Sequence, residues 1–390
     1  DPTAEIGGWK DVGVQIIRAD RGALLEPEEL AAVADTLTAG RLLKNFLQER
    51  QERYPLLSEL SFALASLLEL EKEIKRSILP GGEVADTASS ELAQLRRKIL
   101  NNQARIKEHL EHVIRSPNYQ KYLQDPIVTI REGRYVVPVK IEYRSQVPGI
   151  VHDQSSSGAT LFIEPMAVVE KNNELKRLMV AEKQEVLRIL TGLTAWVARN
   201  AETIQISLEA LGDFDFIMAR ARYSLKLNAW EPVLAGEAVM DIRQARHPLL
   251  KGDVVPVDIR LGEDFDTLIM TGPNTGGKTV TLKTAGLMVL MAQSGLHIPA
   301  GEGSKLGIFK QVFADIGDEQ SIEQSLSTFS SHMTNIVDIV NGAGRGSLIL
   351  LDELGAGTDP TEGAALAQSI LEKLHALGTR TIATTHYSEL

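Results

Sequence analysis

The sequence predicts a multidomain fold in which a helical domain with long helices and a small β-sheet precedes an α/β domain. Residues 28–115 and 167–228 have apolar side chains three and four apart, which is the period of amphipathic helices. Residues 126–165 contain β-branched runs divided by Gly and Pro, which are typical of a small antiparallel sheet. From residue 239, strand-like and helix-like segments alternate, as in a mostly parallel sheet. We therefore expect one domain at 1–238 and another at 239–390.

The helical domain is predicted to hold a helix pair and a long lever. Pro55 divides the pair into residues 28–53 and 56–79, and residues 86–115 carry a narrow apolar stripe. That stripe fits either a coiled-coil arm or a helix packed on its own domain. Only Gly192 and Gly212 interrupt residues 167–228, which as a single helix would be on the order of 90 Å long. We expect an outgoing arm, the small sheet and a returning arm.

The second domain is predicted to have strands at 267–271, 347–351 and 380–384 and helices at 278–293 and 361–376.

Composition limits the chemistry and the partners. The 41 Lys and Arg against 52 Asp and Glu give a net charge of −11, which excludes a uniformly basic surface. The absence of cysteine excludes disulfides, Cys-bound metals and a thiol nucleophile, and it fits a reducing compartment. Uninterrupted apolar runs are far shorter than the ~20 residues that cross a bilayer. We expect a soluble cytoplasmic protein with no membrane partner.

A phosphate-loop pattern lies between the strand at 267–271 and the helix at 278–293, where such a loop must lie. Its glycines let backbone N–H groups close on a triphosphate at a helix N-terminus. Lys278 is placed for the β and γ oxygens, and Thr279 for a Mg²⁺ ion. The pattern therefore predicts ATP and Mg²⁺ binding by Gly272, Pro273, Asn274, Thr275, Gly276, Gly277, Lys278 and Thr279.

Polar residues at the ends of two later strands complete a predicted ATPase site. Asp352 follows the strand at 347–351 and suits the Mg²⁺ shell. Glu353 is placed to polarise a water for attack on the γ-phosphate. His386 follows the strand at 380–384, and we expect it to contact the γ-phosphate.

A hydroxyl-rich segment precedes a predicted helix that runs to about residue 340. One serine would serve as a helix cap, but this segment has more hydroxyls than one cap uses. Because the phosphate loop already occupies one face of the nucleotide, we expect a second protomer to supply this segment, in a homodimer. Its predicted nucleotide contacts are Ser327, Thr328 and Ser330.

Basic residues suggest a local nucleic-acid contact, although an ordinary solvated face is the better explanation of each group taken separately. The loop at 153–158 fits a hairpin turn better than a phosphate cradle. The basic residues are Arg96, Arg97, Lys98, Arg105 and Lys107 in the arm, and Arg131, Arg134, Lys140 and Arg144 in the small sheet.

Together these motifs resemble the MutS family, a branch of the ABC class of ATPases. The helical arms and the small sheet likewise resemble the core, lever and clamp of that family, so the resemblance covers the whole chain. Three segments are similar to the bacterial paralogue called MutS type two. The family motifs lie at 272–279, 315–320, 325–333, 351–359 and 384–386, and the type-two segments at 158–165, 245–250 and 272–284.

The resemblance implies an ABC-type P-loop ATPase domain and a dimeric clamp. It implies binding to DNA, with suppression of recombination, and/or to the rRNA of collided ribosomes, whose subunits are split in ribosome rescue. It also implies a C-terminal Smr endonuclease domain, which we expect only in the full-length protein because this chain ends at Leu390. Val254 and Val255 lie where mismatch-repair members carry an aromatic residue that stacks on adenine.

Three other functions fit less well. A mismatch-repair sensor ATPase would need a mismatch-reading domain upstream. An ABC transporter subunit would carry Leu-Ser-Gly-Gly-Gln at the hydroxyl-rich segment and no lever. A structural hinge protein with a degenerate site would lack Lys278 or Glu353, and this sequence has both.

Overall fold

The computed structural model describes residues 7–272, 276–317, 325–356 and 358–387, without the side chains of residues 325–331. It is a mixed helical and α/β structure with several sheets.

The chain forms two compact units, Asp1–Phe214 and Asp215–Leu390. The second unit includes residues 215–238, which the sequence analysis assigned to the helical domain. The reason is packing: Tyr223 and Leu227 lie against the hydrophobic core of the α/β elements.

Two long helices of the first unit, α2 and α5, begin at residues that commonly start or cap helices. Pro27 is the first residue of α2, where Glu26 and Glu29 form a capping box. The Ser89 hydroxyl accepts a hydrogen bond from the Leu92 N–H at the start of α5. The helices are α1 Gly13–Asp20, α2 Pro27–Glu49, α3 Pro55–Glu59, α4 Leu68–Ser77, α5 Ser90–Arg115, α6 Pro117–Gln120 and α7 Met166–Arg199. The next helix, α8 Ala201–Leu227, includes residues of both units.

The predicted helix at 56–79 is not continuous. The structure has α3, a short 3-10 helix at Leu60–Phe62 and a separate α4. Serine hydroxyls compete for the backbone here, since Ser61 Oγ donates to the Ser58 carbonyl at 2.6 Å. The Ala65 N–H donates to Ser207 Oγ at 2.8 Å, a bond that a continuous helix would not allow.

The predicted long helix at 167–228 is two helices, and the break falls at Asn200 rather than at Gly192 or Gly212. The Asn200 side-chain amide donates to the Trp196 carbonyl at 2.8 Å, so it caps the last turn of α7. The Asn200 carbonyl accepts from the Ile204 N–H at 2.9 Å, so the same residue starts α8. Both glycines lie inside helices.

Helix α7 packs along α5 within the first unit. The apolar stripe of α5 is buried against α7 and the small sheet, through Ile106, Leu110, Val168 and Leu175. The stripe of residues 86–115 is therefore buried within the first unit, and its packing along α7 fits both of the alternatives above. At 1.5 Å per residue, the 34 residues of α7 are about 51 Å long.

The predicted small antiparallel sheet is confirmed, with strand order β1-β2-β4-β3. A tight turn joins β3 to β4: the Gly158 N–H donates to the Ser155 carbonyl at 2.8 Å, and Gly158 has φ 73°. The loop at 153–158 is therefore a hairpin, as expected. The strands are β1 Thr129–Arg131, β2 Arg134–Lys140, β3 Gly149–Gln154 and β4 Thr160–Pro165.

The second unit has a parallel sheet of order β10-β11-β12-β8 and a mixed sheet of order β5-β9-β6-β7. The predicted strands and helices of this domain are present, within a residue at each end. Its elements are β5 Val233–Ala235, β6 Met240–Ala245, β7 Val257–Leu261, β8 Thr267–Thr271, α9 Lys278–Gln293, β9 Lys305–Gly307, β10 Gln311–Asp315, α10 Ser325–Gly342, β11 Ser347–Leu351, α11 Pro360–Ala376 and β12 Arg380–Thr385.

Strand β11 is buried on both faces, which explains its continuous apolar sequence. Leu348 and Leu350 belong to the core that includes α9. Ile349 and Leu351 belong to the opposite core, which includes α10 and α11. Successive side chains of a strand point to opposite faces, so the parallel sheet lies between these helices. In the described parts of the chain, no helix is long and apolar enough to cross a membrane.

Candidate nucleotide site

The candidate site lies at the carboxyl ends of β8, β11 and β12. These strands run parallel, with Leu350 paired to Ile382 and Ile382 paired to Leu268. The segments that leave them therefore meet at one edge of the sheet. Gly272, Asp352 and His386 are each the first residue after one of these strands.

The glycines of the loop before α9 have the backbone freedom that the phosphate-loop pattern requires. Gly272 has φ 129° and Gly277 has φ 75°, in the region that residues with a Cβ rarely adopt. Among the described residues, no atom would lie within 4 Å of a Cβ added at Gly272, Gly276 or Gly277. Pro273, Asn274 and Thr275 lie outside the described residues.

Lys278 is the first residue of α9, and its side chain lies across the loop. Its Nζ donates to the Gly272 carbonyl and to the Thr385 carbonyl, the latter at 3.1 Å. The residue is only 7% exposed. A buried ammonium is costly unless it is well paired, and two carbonyls carry only partial charge. The site therefore holds a positive charge suited to an anion.

Thr279 and Asp352 come together as the predicted metal ligands would. Thr279 Oγ1 donates to Asp352 Oδ1 at 3.2 Å. Two oxygens that ligate one octahedral Mg²⁺ at adjacent positions are about 3 Å apart, so this pair fits the ion. Asp352 is 8% exposed, and Thr384 Oγ1 also donates to its Oδ1.

Glu353 adopts an uncommon backbone conformation beside Asp352. Its φ is 50°, which costs a residue other than Gly on the order of 1–3 kcal/mol. Its N–H donates to Thr384 Oγ1 at 2.8 Å, and this bond helps to hold the conformation. Glu353 Oε1 lies 3.5 Å from Nε2 of His386. The two residues predicted to act at the γ-phosphate are thus neighbours.

Thr384 is a site residue that sequence reasoning did not assign. Its single hydroxyl donates to the Asp352 carboxylate and accepts from the Glu353 N–H. It therefore sets the positions of both acidic residues from the neighbouring strand. The available signal was its place at the end of a buried strand, directly before Thr385 and His386.

Helix α10 begins at Ser325, so the hydroxyl-rich segment lies within its first turns and not before them. This differs from the expected position. Ser327, Thr328 and Ser330 therefore lie at the N-terminal end of α10, and their side chains lie outside the described residues.

A cavity of about 450 Å³ opens beside the loop, with Gly276 and Gly277 in its wall. Its surface is largely aliphatic and includes Val254 and Val255. Burial and the charge of Lys283 lower the pKa of His247, which also lines the cavity. The imidazole is therefore uncharged near neutral pH.

Some of the predicted nucleic-acid contacts have other roles. Arg96 binds Asp86 and Glu182, the latter at 2.8 Å, and these bonds raise its pKa against the opposing effect of burial. Arg134 binds Glu164, which is fully buried. We therefore no longer assign Arg96 and Arg134 to a nucleic-acid contact, because both guanidinium groups pair with carboxylates within the first unit.

The other basic residues are more accessible. Arg131 lies over the Phe162 ring at 4.2 Å and pairs with Asp153 at 3.1 Å, while 39% of its side chain stays exposed. Lys140 is half-buried. The exposed ones are Arg97, Lys98, Arg105, Lys107 and Arg144.

Comparison with known proteins places this geometry in a class. Residues 268–390, which contain β8, α9, β11 and β12, match the family described as MutS domain V. Over these residues the chain is similar to the MutS family.

Its relatives carry a more particular name. The chain is 76% identical over 390 residues to Endonuclease MutS2 of Pelotomaculum thermopropionicum, covering 100% of this chain and 50% of that protein. It is 58% identical over 385 residues to Endonuclease MutS2 of Symbiobacterium thermophilum, covering 99% and 48% respectively. It is 54% identical over 389 residues to the protein of that name from a Geobacillus species, covering 99% and 50%. The chain thus spans about half the length of these relatives.

Proposed function

We propose that this chain is the ATPase part of a MutS-family clamp of the type-two kind. The observation that carries the proposal is the meeting of five side chains at one sheet edge. The first two residues of α9, the helix after β8, are Lys278 and Thr279. Strand β11 is followed by Asp352 and Glu353, and strand β12 by His386. These three strands run parallel. No single motif would require that arrangement, but hydrolysis of a nucleoside triphosphate uses all of it.

Each residue has a role that follows from its position. Lys278 exchanges its carbonyl partners for the β and γ oxygens of ATP, and the N–H groups at the start of α9 add further donors. Thr279 and Asp352 would hold Mg²⁺, which would neutralise charge on the phosphates of ATP. Glu353 accepts a hydrogen bond from the attacking water, and His386 donates to the γ-phosphate. The cavity beside Gly277 receives the base.

Two substitutions separate binding from turnover. Lys278→Ala removes the main counter-charge of the phosphates, so we expect weaker ATP binding. Glu353→Gln keeps the shape of the site and removes only the acceptor for water, so we expect normal binding and a fall in kcat of at least about 100-fold. The measurements are nucleotide titration and phosphate release in the complete protein. Glu362→Gln, an exposed carboxylate at the start of α11, is the matched control. Hydrolysis at the wild-type rate by Glu353→Gln would contradict the catalytic assignment.

We propose that the protein acts as a homodimer in which α10 of each protomer completes the partner's ATP site. The support is the position of the hydroxyl-rich segment at the N-terminus of an 18-residue helix, where N–H groups favour an anion. Mixing Lys278→Ala chains with Ser327→Ala/Ser330→Ala chains should restore one working site per heterodimer. Turnover no higher than the sum of the two parents would argue against a shared site.

We propose that the exposed basic residues of α5 contact a nucleic acid, either DNA or the rRNA of a ribosome. Arg97→Glu/Lys98→Glu, with Arg96 left intact, should weaken binding without changing basal ATPase. Each lost phosphate contact should flatten the log–log salt dependence by about 0.7–0.9. Arg21→Glu/Lys72→Glu, two exposed cations on other elements of the first unit, is the control. Unchanged affinity and slope would mean that this face is only solvated.

The two targets are distinguished with Glu353→Gln protein as a trap. Duplex DNA and purified ribosomes are offered separately, and the one retained in the presence of ATP is the target. Retention of DNA would support a role in suppressing recombination, and retention of ribosomes a role in splitting collided ones. The relatives are named as endonucleases, and we propose that activity for the whole protein and not for this ATP site.

A further inference from the structure

A buried carboxylate at the end of β10 joins the candidate ATP site to α10. Asp315 is the last residue of β10, beside Leu351 of β11. Its backbone carbonyl accepts from the Asp352 N–H at 2.9 Å. Its side chain is bound by two residues of α10: His332 Nδ1 lies 2.9 Å from Oδ2, and Asn335 Nδ2 donates to Oδ1 at 2.8 Å.

The two donors define one face of α10. His332 and Asn335 are three residues apart, which places them next to each other on a helix. Because a carboxylate only accepts hydrogen bonds, the His332 ring presents its Nδ1–H to Asp315. The ring also lies close to the backbone after β10, where a Cβ on Gly317 would be 2.9 Å from His332 Cε1. These hydrogen bonds therefore fix the orientation of α10 at this point as well as its position.

Helix α10 also makes contacts of a different kind. Ile336 and Ile339 pack in the hydrophobic core with Leu351 and Leu354. Apolar packing is not directional and allows small rotations or shifts, whereas paired hydrogen bonds to a buried charge allow few. Asp315 is 6% exposed, so water does not replace a lost donor easily.

We propose that Asp315 is the joint through which the Mg²⁺ side of one ATP site holds the helix that serves the partner's ATP site, with His332 and Asn335 as its positioning residues. The proposal rests on the proposed dimeric ATPase. It predicts that a substitution in this joint acts across the dimer. The chain that carries the substitution keeps a working phosphate loop, but its α10 contributes less to the partner's ATP site.

Heterodimers of the complete protein test this prediction. A Lys278→Ala chain paired with a wild-type chain leaves one working site, made from the wild-type phosphate loop and the α10 of the Lys278→Ala chain. His332→Leu is placed in either chain. In the Lys278→Ala chain it should lower kcat about tenfold or more, with KM for ATP within about twofold, because misplacement of a group affects the reacting geometry most. In the wild-type chain it should change kcat by less than about twofold.

A conservative variant separates positioning from simple loss of structure. His332→Asn keeps an N–H donor near the position of Nδ1 and should restore most of the lost kcat. Asn335→Ala, a milder change, should act in the same direction and in the same chain. Thermal unfolding of each heterodimer shows whether the variants fold.

The outcomes are distinct. An equal fall in kcat for both placements of His332→Leu, or no fall when it is in the Lys278→Ala chain, overturns the joint. If the Lys278→Ala/wild-type heterodimer itself has no ATPase activity, or if Lys278→Ala homodimers keep full activity, the proposed function fails before the joint is tested. A rise in KM without a fall in kcat would also overturn the proposal, since it would indicate a binding role.

Discussion

Removal of Arg134 should destabilise the small sheet strongly, because Glu164 would lose its main counter-charge. Glu164 is 0% exposed, and Arg134 donates to its two carboxylate oxygens at 2.8 and 3.0 Å. His152 Nε2 lies 2.6 Å from Oε2, and Arg134 also donates to Asn173 on α7 at 2.6 Å. Loss of one partner of a buried ion pair costs about 3–5 kcal/mol, so we expect Arg134→Met to lower the free energy of unfolding by that amount.

The double variant shows whether the cost comes from the unpaired charge. In Arg134→Met/Glu164→Gln the buried carboxylate is gone, so about half of the lost free energy or more should return. Arg177→Met, the same substitution at an exposed position of α7, should change the free energy by less than about 0.5 kcal/mol.

The assay must detect local as well as global unfolding. Urea denaturation gives the free energy of the whole cooperative unit. Hydrogen exchange at Val137 and Ile163, which face each other in β2 and β4, gives that of the sheet. A loss below about 1 kcal/mol for Arg134→Met in both measurements would refute the reasoning, because a fully buried carboxylate cannot lose two hydrogen bonds so cheaply.

Two further predictions concern other buried acids. Hydrogen bonds from Arg41 lower the pKa of Glu71 to about 2, although burial opposes the shift. The carboxylate therefore stabilises the fold above pH 4.5 and loses that effect as the pH falls towards 2. The stability difference between wild type and Glu71→Gln, followed by thermal melts, should shrink over that range and stay constant from pH 6 to 8. Thr384→Val keeps the side-chain shape but removes the hydroxyl that binds Asp352 and Glu353, so kcat should fall about 10- to 100-fold in phosphate-release assays. The melting temperature should also fall, because the Asp352 carboxylate and the Glu353 N–H each lose a buried partner.

The sequence predicts the α/β domain well because its signals are local. Strand β11 is buried on both faces and therefore reads as a continuous apolar run, and the phosphate loop combines a strand, glycines and a helix within a few residues. The positions of Lys278 and Asp352 at the sheet edge follow from the rule that parallel strands end on the same side.

Contacts between distant residues were the part that the sequence did not predict. Arg96 pairs with Glu182, 86 positions away, and Arg134 with Glu164, 30 positions away, so neither pair is visible in a local pattern. The break at Asn200 was missed for a related reason. Gly192 and Gly212 have the lower helix propensity, but the capping bonds of an asparagine end the helix, and propensity is only a weak guide.

The positive φ of Glu353 implies a conflict between the stability of the fold and the proposed activity. A positive φ is cheaper for Asn or Gly than for Glu, whereas only a carboxylate can serve the proposed water. Laboratory evolution for heat resistance alone should therefore enrich Asn or Gly at position 353, and the enriched variants should be inactive. If Glu353 has the proposed role, glutamate should persist at this strained position only where the selection also demands turnover.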